Sequence, residues 1–291
     1  MRIDVAKKIV WLASYPKSGN TWFRMFLSAL LKNDGAFNIN TPEIQGIFSS
    51  RALFEQFTDF DSGYLYRHEV LQLLPEVFTE FANLNQSSEK LFLKVHDAYI
   101  LNEKGLPIIP AAPTRCAVYF IRNPLDIVAS FSNHMGKSFD QMILTMNNPM
   151  AFLASQKNNL NNESQFPQLL LSWSEHVLSW KYVTQFPVLI IRYEDMLADT
   201  LATFSRITDF IGLQASQQEI NKALATTSFH QLKQQESTAG FNEINPSRSF
   251  FRQGQAGKWV DELTKEQANL IISTHGTVMQ QYGYPSSLIM E

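Results

Sequence analysis

Short apolar runs alternate with longer amphipathic stretches along most of the chain. Four of these runs are apolar almost without a break and stop abruptly at polar residues; they lie at 9–15, 91–96, 114–121 and 188–192. Short runs of this kind are typical of strands that are buried on both faces of a parallel sheet. We therefore predict four buried strands, each followed by polar side chains.

The stretches between these strands carry apolar residues at helical spacing. They predict helices over residues 21–31, 69–83, 124–135, 168–183, 201–211 and 263–282, and a further helical piece that begins at 220–224 and ends near 226–229. The third has the clearest start signal, since Asn123 can cap the helix and Pro124 suits its first turn. Strands that alternate with helices indicate an α/β fold, with helices on both faces of a parallel sheet of about four to five strands. We assign residues 1–291 to a single domain of this class.

Two polar stretches interrupt the alternation. Residues 137–167 are rich in Asn, Gln and Ser and have weak periodicity, so we predict an excursion that is helical in part. Such an excursion either carries substrate specificity or a lid, or it is a solvated surface insertion. Residues 234–256 are polar and predict an irregular segment.

Composition excludes several classes of protein. The chain has 291 residues, 45% of them hydrophobic, and a formal charge of −3, which indicates a globular protein and argues against general nucleic-acid binding. Cys116 is the single cysteine, so the chain has no internal disulfide and a reducing compartment is favoured. No stretch approaches the length of a membrane span. We expect a cytoplasmic location, and the pair Glu194–Asp195 is too weak a pattern to predict a metal site.

The turn after the first strand has the residues of an anion-binding site. Lys17, Ser18 and Gly19 stand between a buried strand and a buried helix. The helix start presents free N–H groups, Gly19 lets the backbone approach a ligand, and Lys17 adds a full charge. The alternative is an ordinary strand-to-helix turn with a chance lysine. The turn does not spell GxxxxGK[ST], which argues against a Walker A loop and hence against a kinase or GTPase.

Charged or ionisable residues also follow the other three predicted strands. Lys94 and His96 end the second strand, Arg122 ends the third, and residues 192–195 end the fourth. Because parallel strands bring their carboxyl ends to one edge of a sheet, we expect these groups to meet at a single site. Several cations and one imidazole suit a multiply anionic ligand.

The segment SYPKSGNTW, residues 14–22, resembles the 5′-phosphosulfate-binding loop of the PAPS-dependent sulfotransferases, in their cytosolic and bacterial branch. PAPS is 3′-phosphoadenosine 5′-phosphosulfate, the donor of a sulfuryl group. The resemblance implies a sulfotransferase domain with a nucleotide-binding core like that of P-loop proteins. It also implies a donor-binding loop made of Lys17, Ser18, Gly19, Asn20 and Thr21, with Trp22 near the adenine.

Further segments resemble the same family in the same order. FIRNPLDIVASFSNH, residues 120–134, is similar to the 3′-phosphate-binding segment and places Arg122 and Ser130 on that phosphate. RYEDM and TSF resemble adenine-binding segments, which implies that Tyr193 and Thr227 contact the base and that Phe229 stacks on it.

The last of these segments, FFRQGQAGKW at residues 250–259, resembles the family's Arg-Lys-Gly loop. It places Arg252, Gln253 and Gly254 on the 3′-phosphate. Gln253 stands where the family usually has lysine, and Lys258 and Val260 flank the tryptophan where Asp and Lys are usual. His96 is followed by Asp97-Ala98 instead of Leu-Pro, a departure on the acceptor side of the site.

The resemblance implies in-line transfer of a sulfuryl group from PAPS to a hydroxyl or amine, with release of PAP, the 3′,5′-bisphosphate of adenosine. LKVH resembles the family's Lys-Thr-His segment, so His96 would act as general base and Lys94 would stabilise the transferring group. Lys17 would stabilise charge on the departing PAP, and Ser130 would hold Lys17 back until the acceptor is bound. No metal is needed.

Two alternatives stay open at this point. One is a kinase-like P-loop protein that binds another nucleotide, and the other is a sulfotransferase-like protein that binds PAP or PAPS without catalysis. The acceptor is expected to be a small molecule, a glycan or a lipid, and a homodimer is left open.

Overall fold

A parallel sheet of four strands forms the centre of the computed structural model, which describes residues 7–32, 37–44, 46–154, 164–245 and 247–289. The strands along the chain are β1 Ile9–Ser14, β2 Leu91–Val95, β3 Thr114–Ile121, the short β4 Phe152–Leu153 and β5 Gln168–Leu169, and β6 Val188–Arg192. The central sheet has the order β2-β1-β3-β6, and β4 pairs with β5 in a separate antiparallel ribbon. The predicted α/β class and the four predicted strands are therefore confirmed.

Helices cover both faces of this sheet. Those within the described residues are α1 Asn20–Lys32, α2 Arg51–Thr58, α3 Arg67–Leu84, α4 Pro124–Met135, α5 Phe139–Asn147, α6 Trp173–Lys181, α7 Tyr193–Ala198, α8 Thr200–Ile211, α9 Gln217–Thr226, α10 Phe229–Ala239, α11 Trp259–Glu262 and α12 Lys265–Gln281, with a 3₁₀ turn at Ser62–Tyr64. No helix among them is long and apolar enough to cross a bilayer.

The burial of β1 shows why helices pack on both faces of the sheet. All six residues of β1 are buried, and successive side chains point to opposite faces of the sheet. Trp11 packs in the core that includes α3 and α6, whereas Val10 and Leu12 pack in the core that includes α1 and α8. Because both faces are apolar, the polar residues that follow each strand are left at the sheet edge.

The helix after β3 starts as its sequence predicts. The Asn123 side chain accepts a hydrogen bond from the Leu125 amide at 3.1 Å, and Pro124 occupies the first turn. Gly136 ends the helix in the left-handed conformation with φ 67°. This start places Arg122, the last residue before the cap, at the carboxyl end of β3.

The helix predicted over 168–183 begins later than expected, at Trp173. Gln168 and Leu169 instead pair with β4, and Leu171 has a left-handed φ of 56° that prevents helix continuity. Ser172 and Glu175 form a capping box, in which the Glu175 carboxylate accepts from the Ser172 amide at 3.1 Å. The predicted start at residue 168 was wrong because apolar spacing alone does not reveal this cap.

Both polar stretches contain helical structure, which was expected for the first and not for the second. The excursion at 137–167 contains α5 and β4, and its residues 155–163 lie outside the described residues. Residues 234–239 belong to α10, so the prediction of an irregular segment from 234 was wrong for its first turn and a half.

Two histidines lie deep in the interior as neutral hydrogen-bonded groups. The Nε2 of His176 donates to the His96 carbonyl at 3.0 Å, which leaves Nδ1 to accept from the Tyr119 hydroxyl at 2.8 Å. His275 lies between the Ser174 hydroxyl and the Asn147 side chain. Burial lowers the pKa of His176 and that of His275 to about 4.

Candidate active site

A cavity of about 840 Å³ opens at the edge of the sheet where the strands end. Nearly all of the residues that the sequence singles out line it: Lys17, Ser18, Gly19, Asn20, Thr21, Trp22, Lys94, His96, Arg122, Ser130, Tyr193, Phe229, Arg252, Gln253 and Gly254. Thr227 lies behind the wall, since it is fully buried and its hydroxyl donates to the Ala223 carbonyl. Residues that are more than two hundred positions apart therefore share one cavity.

The turn after β1 is built as a cradle. Lys17 and Gly19 both have left-handed φ angles, 68° and 98°. The Asn20 amide group donates to the Leu12 carbonyl at 2.8 Å, which ties the start of α1 back to β1. The Ser18 hydroxyl is buried without a hydrogen-bond partner among the described residues. An unpaired buried donor beside a helix N-terminus is suited to an anion.

The ammonium group of Lys17 lies in a buried, positive environment. Its Nζ is 3.5 Å from the centre of the Phe250 ring. Burial, and then the charges of Arg122 and Lys94, lower the pKa of Lys17 to about 7. A bound anion would reverse this effect because it favours the charged form.

Arg122 connects two loops at the mouth of the cradle. Its guanidinium donates to the Lys17 carbonyl at 3.2 Å and to the Gln255 carbonyl at 3.0 Å, and it lies 4.4 Å from the centre of the Tyr193 ring. The Nε atom of Arg122 is buried and has no partner among the described residues. The side chain is thus held in place and keeps a donor for a ligand.

His96 is held in one tautomer by the strand beside it. Its Nδ1 is 2.8 Å from the Ser14 carbonyl and 3.2 Å from the Ser14 hydroxyl. Because a carbonyl oxygen only accepts, Nδ1 carries the proton and Nε2 keeps its lone pair. Burial, and then the charge of Lys94, hold the pKa of His96 well below its usual range. The imidazole is therefore neutral at neutral pH and can accept a proton.

Lys94 belongs to an ion-pair cluster that the sequence does not predict. Glu243 pairs with Lys94 at 3.7 Å and also with Arg24, a nearly buried residue of α1. Burial lowers the pKa of Lys94 to about 8, although Glu243 opposes this. Burial would raise the pKa of Glu243, but Lys94 and Arg24 outweigh it and lower the pKa. The cluster joins the loop after α10 to α1 and β2.

Aromatic rings form the opposite wall of the cavity. The Trp22 indole donates to the Thr227 carbonyl at 3.1 Å and meets the Tyr193 ring edge to face. Gly254 packs directly on Phe229, since a Cβ atom there would lie 2.3 Å from the ring. Only glycine permits this contact at a φ of 63°. The flat walls can hold an aromatic base.

The loop that carries Arg252 is paired with an acidic residue from α11. Glu262 accepts from the Arg252 guanidinium at 2.6 Å and from the Gln253 amide at 3.1 Å. Asp126 on α4 fixes the loop because its carboxylate accepts from the Gly257 amide at 2.8 Å and the Trp259 amide at 3.0 Å.

Four charged residues of the cavity were not predicted from the sequence as part of the site: Arg24, Asp126, Glu243 and Glu262. Arg24 had one sequence signal, since it is the single charged residue of the apolar stretch 21–31, and Asp126 had its position in the first turn of α4. Glu243 and Glu262 carry no motif, because their place depends on loops from distant parts of the chain. Together the groups present several cations, three carboxylates and the neutral imidazoles of His96 and His134 to a common space. The described residues contain no cluster of three or more His, Cys, Asp or Glu side chains that could hold a metal ion.

Comparisons with known proteins agree with this geometry. Residues 7–283 match the family model of the sulfotransferase domain. The chain is 27% identical to sulfotransferase 2A6 of Rattus norvegicus, with 88% of this chain and 79% of that protein covered. It is 24% identical to the amine sulfotransferase of Oryctolagus cuniculus, with coverages of 89% and 76%. Among solved structures, retinol dehydratase in complex with androsterone and inactive cofactor PAP has the same fold, with a TM-score of 0.61, 19% identity and coverages of 97% and 84%.

Proposed function

We propose that this chain, which belongs to the sulfotransferase family, moves a sulfuryl group from PAPS to a hydroxyl or amine of a small acceptor and releases PAP. The observation that carries the proposal is the convergence of Lys17, Arg122 and His96 in one cavity at the sheet edge. The names of the relatives support it, since one is an amine sulfotransferase and another was solved with androsterone and PAP.

The donor fits the residues that are present. Ser18 Oγ and Arg122 Nε are buried donors without partners in the described part of the chain, and both suit phosphate or sulfate oxygens. Lys17, Ser18, Gly19, Asn20 and Thr21 would hold the 5′-phosphosulfate. Arg122, Ser130, Arg252, Gln253 and Gly254 would hold the 3′-phosphate, while the rings of Trp22, Tyr193 and Phe229, with Thr227 behind them, would hold the adenine.

The catalytic residues act by positioning and by stabilising charge. When bound, PAPS supplies the sulfuryl group: a bond from the acceptor oxygen or nitrogen to sulfur forms as the bond from sulfur to the bridging oxygen of PAP breaks. His96 takes the acceptor proton at Nε2. Lys17 stabilises negative charge on the bridging oxygen, and Lys94 stabilises charge on the transferring group. Ser130 restrains Lys17 until the acceptor is present.

The acceptor would approach beside His96, near β5. The Leu169 amide donates to the Asp97 carboxylate at 3.1 Å, so β5 runs alongside the residue after His96. Gln168, the residue before Leu169, lines the cavity and has a buried amide oxygen without a hydrogen-bond partner in the described residues. This side of the cavity therefore offers polar groups to an acceptor hydroxyl or amine.

We place the reaction in the cytoplasm, in keeping with the single buried thiol of Cys116.

Thermal shift tests the donor assignment. PAP at about a hundred times its dissociation constant should raise Tm by about 5 °C or more, because it binds only the folded state. ADP and ATP at the same concentrations should raise Tm less, since neither carries a 3′-phosphate. A larger shift with ATP would favour a kinase-like protein. Binding of PAP without transfer of label from radiolabelled PAPS to phenols, steroids, sugars, lipids or amines would favour a protein that binds without catalysis.

Binding of PAP should also take up a proton at mildly alkaline pH. Free Lys17, with a pKa of about 7, is mostly neutral at pH 8, and a bound phosphate favours its ammonium form. The uptake should approach one proton at pH 8 and become small near pH 6, where Lys17 is already charged. Calorimetry in two buffers of different ionisation enthalpy measures it. Lys17→Arg, which stays charged, should remove most of the uptake, and an unchanged uptake in that variant would assign it to another group.

A further inference from the structure

Glu262 brings a negative charge to the part of the cavity that would hold the 3′-phosphate; Asp126 and Glu243 are the other acids of the lining. Its carboxylate lines the same cavity as Arg122 and Lys17, and its side chain is only 16% exposed. One oxygen of this carboxylate accepts from both Arg252 and Gln253, at 2.6 Å and 3.1 Å. The two donors of the loop that would serve a phosphate are therefore both engaged by one acid.

This carboxylate is held in place by the fold. Glu262 is on α11, and α11 begins at Trp259, whose amide donates to Asp126 at 3.0 Å. The Gly257 amide donates to the other Asp126 oxygen at 2.8 Å. On the other side, the contact of Gly254 with the Phe229 ring fixes the loop that carries Arg252. Glu262 is thus a fixed part of the wall.

Two opposite effects on a bound phosphate are conceivable. Glu262 could orient the Arg252 guanidinium and help binding, or it could repel the incoming phosphate and occupy its donors. The repulsion acts between full charges a few ångströms apart in a partly buried site, whereas orientation saves only part of one side chain's rotamer freedom. We expect the repulsion to dominate.

We propose that Glu262 is a specificity-determining residue of the donor site, an internal counter-ion that the 3′-phosphate must displace from Arg252. The inference rests on the proposed function, since it assigns the 3′-phosphate to this loop. Glu262 lowers the preference of the protein for PAP over 5′-AMP, which lacks the 3′-phosphate. Gln253 donates to the same carboxylate, so its amide offers the phosphate little until it leaves Glu262.

Glu262→Gln tests the proposal because it keeps the shape and an accepting oxygen but removes the charge. Calorimetric titration of the full chain should show PAP binding about tenfold tighter, with 5′-AMP binding almost unchanged. The matched control is Glu266→Gln on the exposed first turn of α12, which removes the same charge outside the cavity and should change neither affinity. Gln253→Lys replaces the second residue that donates to Glu262 with a cation. The added charge should also favour PAP over 5′-AMP.

Each other outcome is decisive. Unchanged or weaker PAP binding by Glu262→Gln overturns the inference and makes Glu262 a support for Arg252. Equal gains in affinity for PAP and 5′-AMP also overturn the inference. The charge of Glu262 would then act on any anionic nucleotide and not on the 3′-phosphate. If the wild-type chain binds no PAP at all, the proposed function fails and the inference fails with it. If Glu262→Gln does not fold, Glu262→Ser takes its place, and the same gain for PAP over 5′-AMP is expected of it.

Discussion

His96→Asn is expected to lower turnover with PAPS by roughly a hundredfold or more while the affinity for PAP stays nearly unchanged. Asparagine can keep the hydrogen bond to the Ser14 carbonyl that His96 makes through Nδ1 at 2.8 Å, but it has no counterpart of Nε2. The fold and the donor loop should therefore persist while the proton acceptor is lost. Initial rates of PAP release and calorimetric titration of PAP measure the two effects separately.

A histidine outside the cavity supplies the control for this variant. His230 on α10 is exposed and does not line the cavity, so His230→Asn should retain full turnover. Wild-type turnover by His96→Asn at neutral pH would mean that another group is the base. Asp97 is then the next candidate, since burial raises its pKa to about 7 and one of its carboxylate oxygens is buried without a partner in the described residues.

Arg122→Ala is expected to weaken PAP binding by about a hundredfold and 5′-AMP binding by about tenfold or less. Two charge-assisted hydrogen bonds to the 3′-phosphate contribute about 3 kcal/mol in total, which is about two powers of ten in Kd. Some loss for 5′-AMP is expected too, because Arg122 also supports the cradle through the Lys17 carbonyl. Calorimetric titration of both nucleotides measures the difference.

Arg115 offers a matched control on the same strand. It lies near the amino end of β3, is exposed, and is not part of the cavity lining. Arg115→Ala should leave both affinities unchanged. Equal losses of PAP and 5′-AMP in Arg122→Ala would show that Arg122 only supports the two loops, and the 3′-phosphate site would have to be placed elsewhere.

The sequence predicts the strands and the residues that directly follow them for one physical reason. Lys17 and Arg122 follow strands that are apolar on both faces, His96 follows β2, whose one charged residue is Lys94 near its end, and parallel strands end at a common edge. The local sequence pattern is therefore enough to predict that these three residues lie close together. The cap at Asn123 is equally local, because it depends on neighbouring residues alone.

Features that depend on distant loops could not be predicted in this way. α10 was missed because Leu232 is its one buried residue, which leaves almost no apolar periodicity. Glu243 and Glu262 are acids in polar segments, and a sequence gives no sign of whether such a residue faces solvent or an arginine of another element. Their pairing with Lys94 and Arg252 is a tertiary property, set by how the loops after α10 and before α11 return to the sheet.

The neutral histidines of the interior set an acid limit on the folded state. His176 and His275 have pKa values of about 4 when folded, against about 6.5 in an unfolded chain. Between these values the unfolded chain binds more protons, so their contribution is complete above pH 6.5 and is lost as the pH falls towards 4. Each pKa unit is about 1.4 kcal/mol per histidine, and both act in the same direction. Through these two histidines, mild acid lowers the free energy of unfolding, so the buried core becomes less stable as the pH falls from 6.5 towards 4.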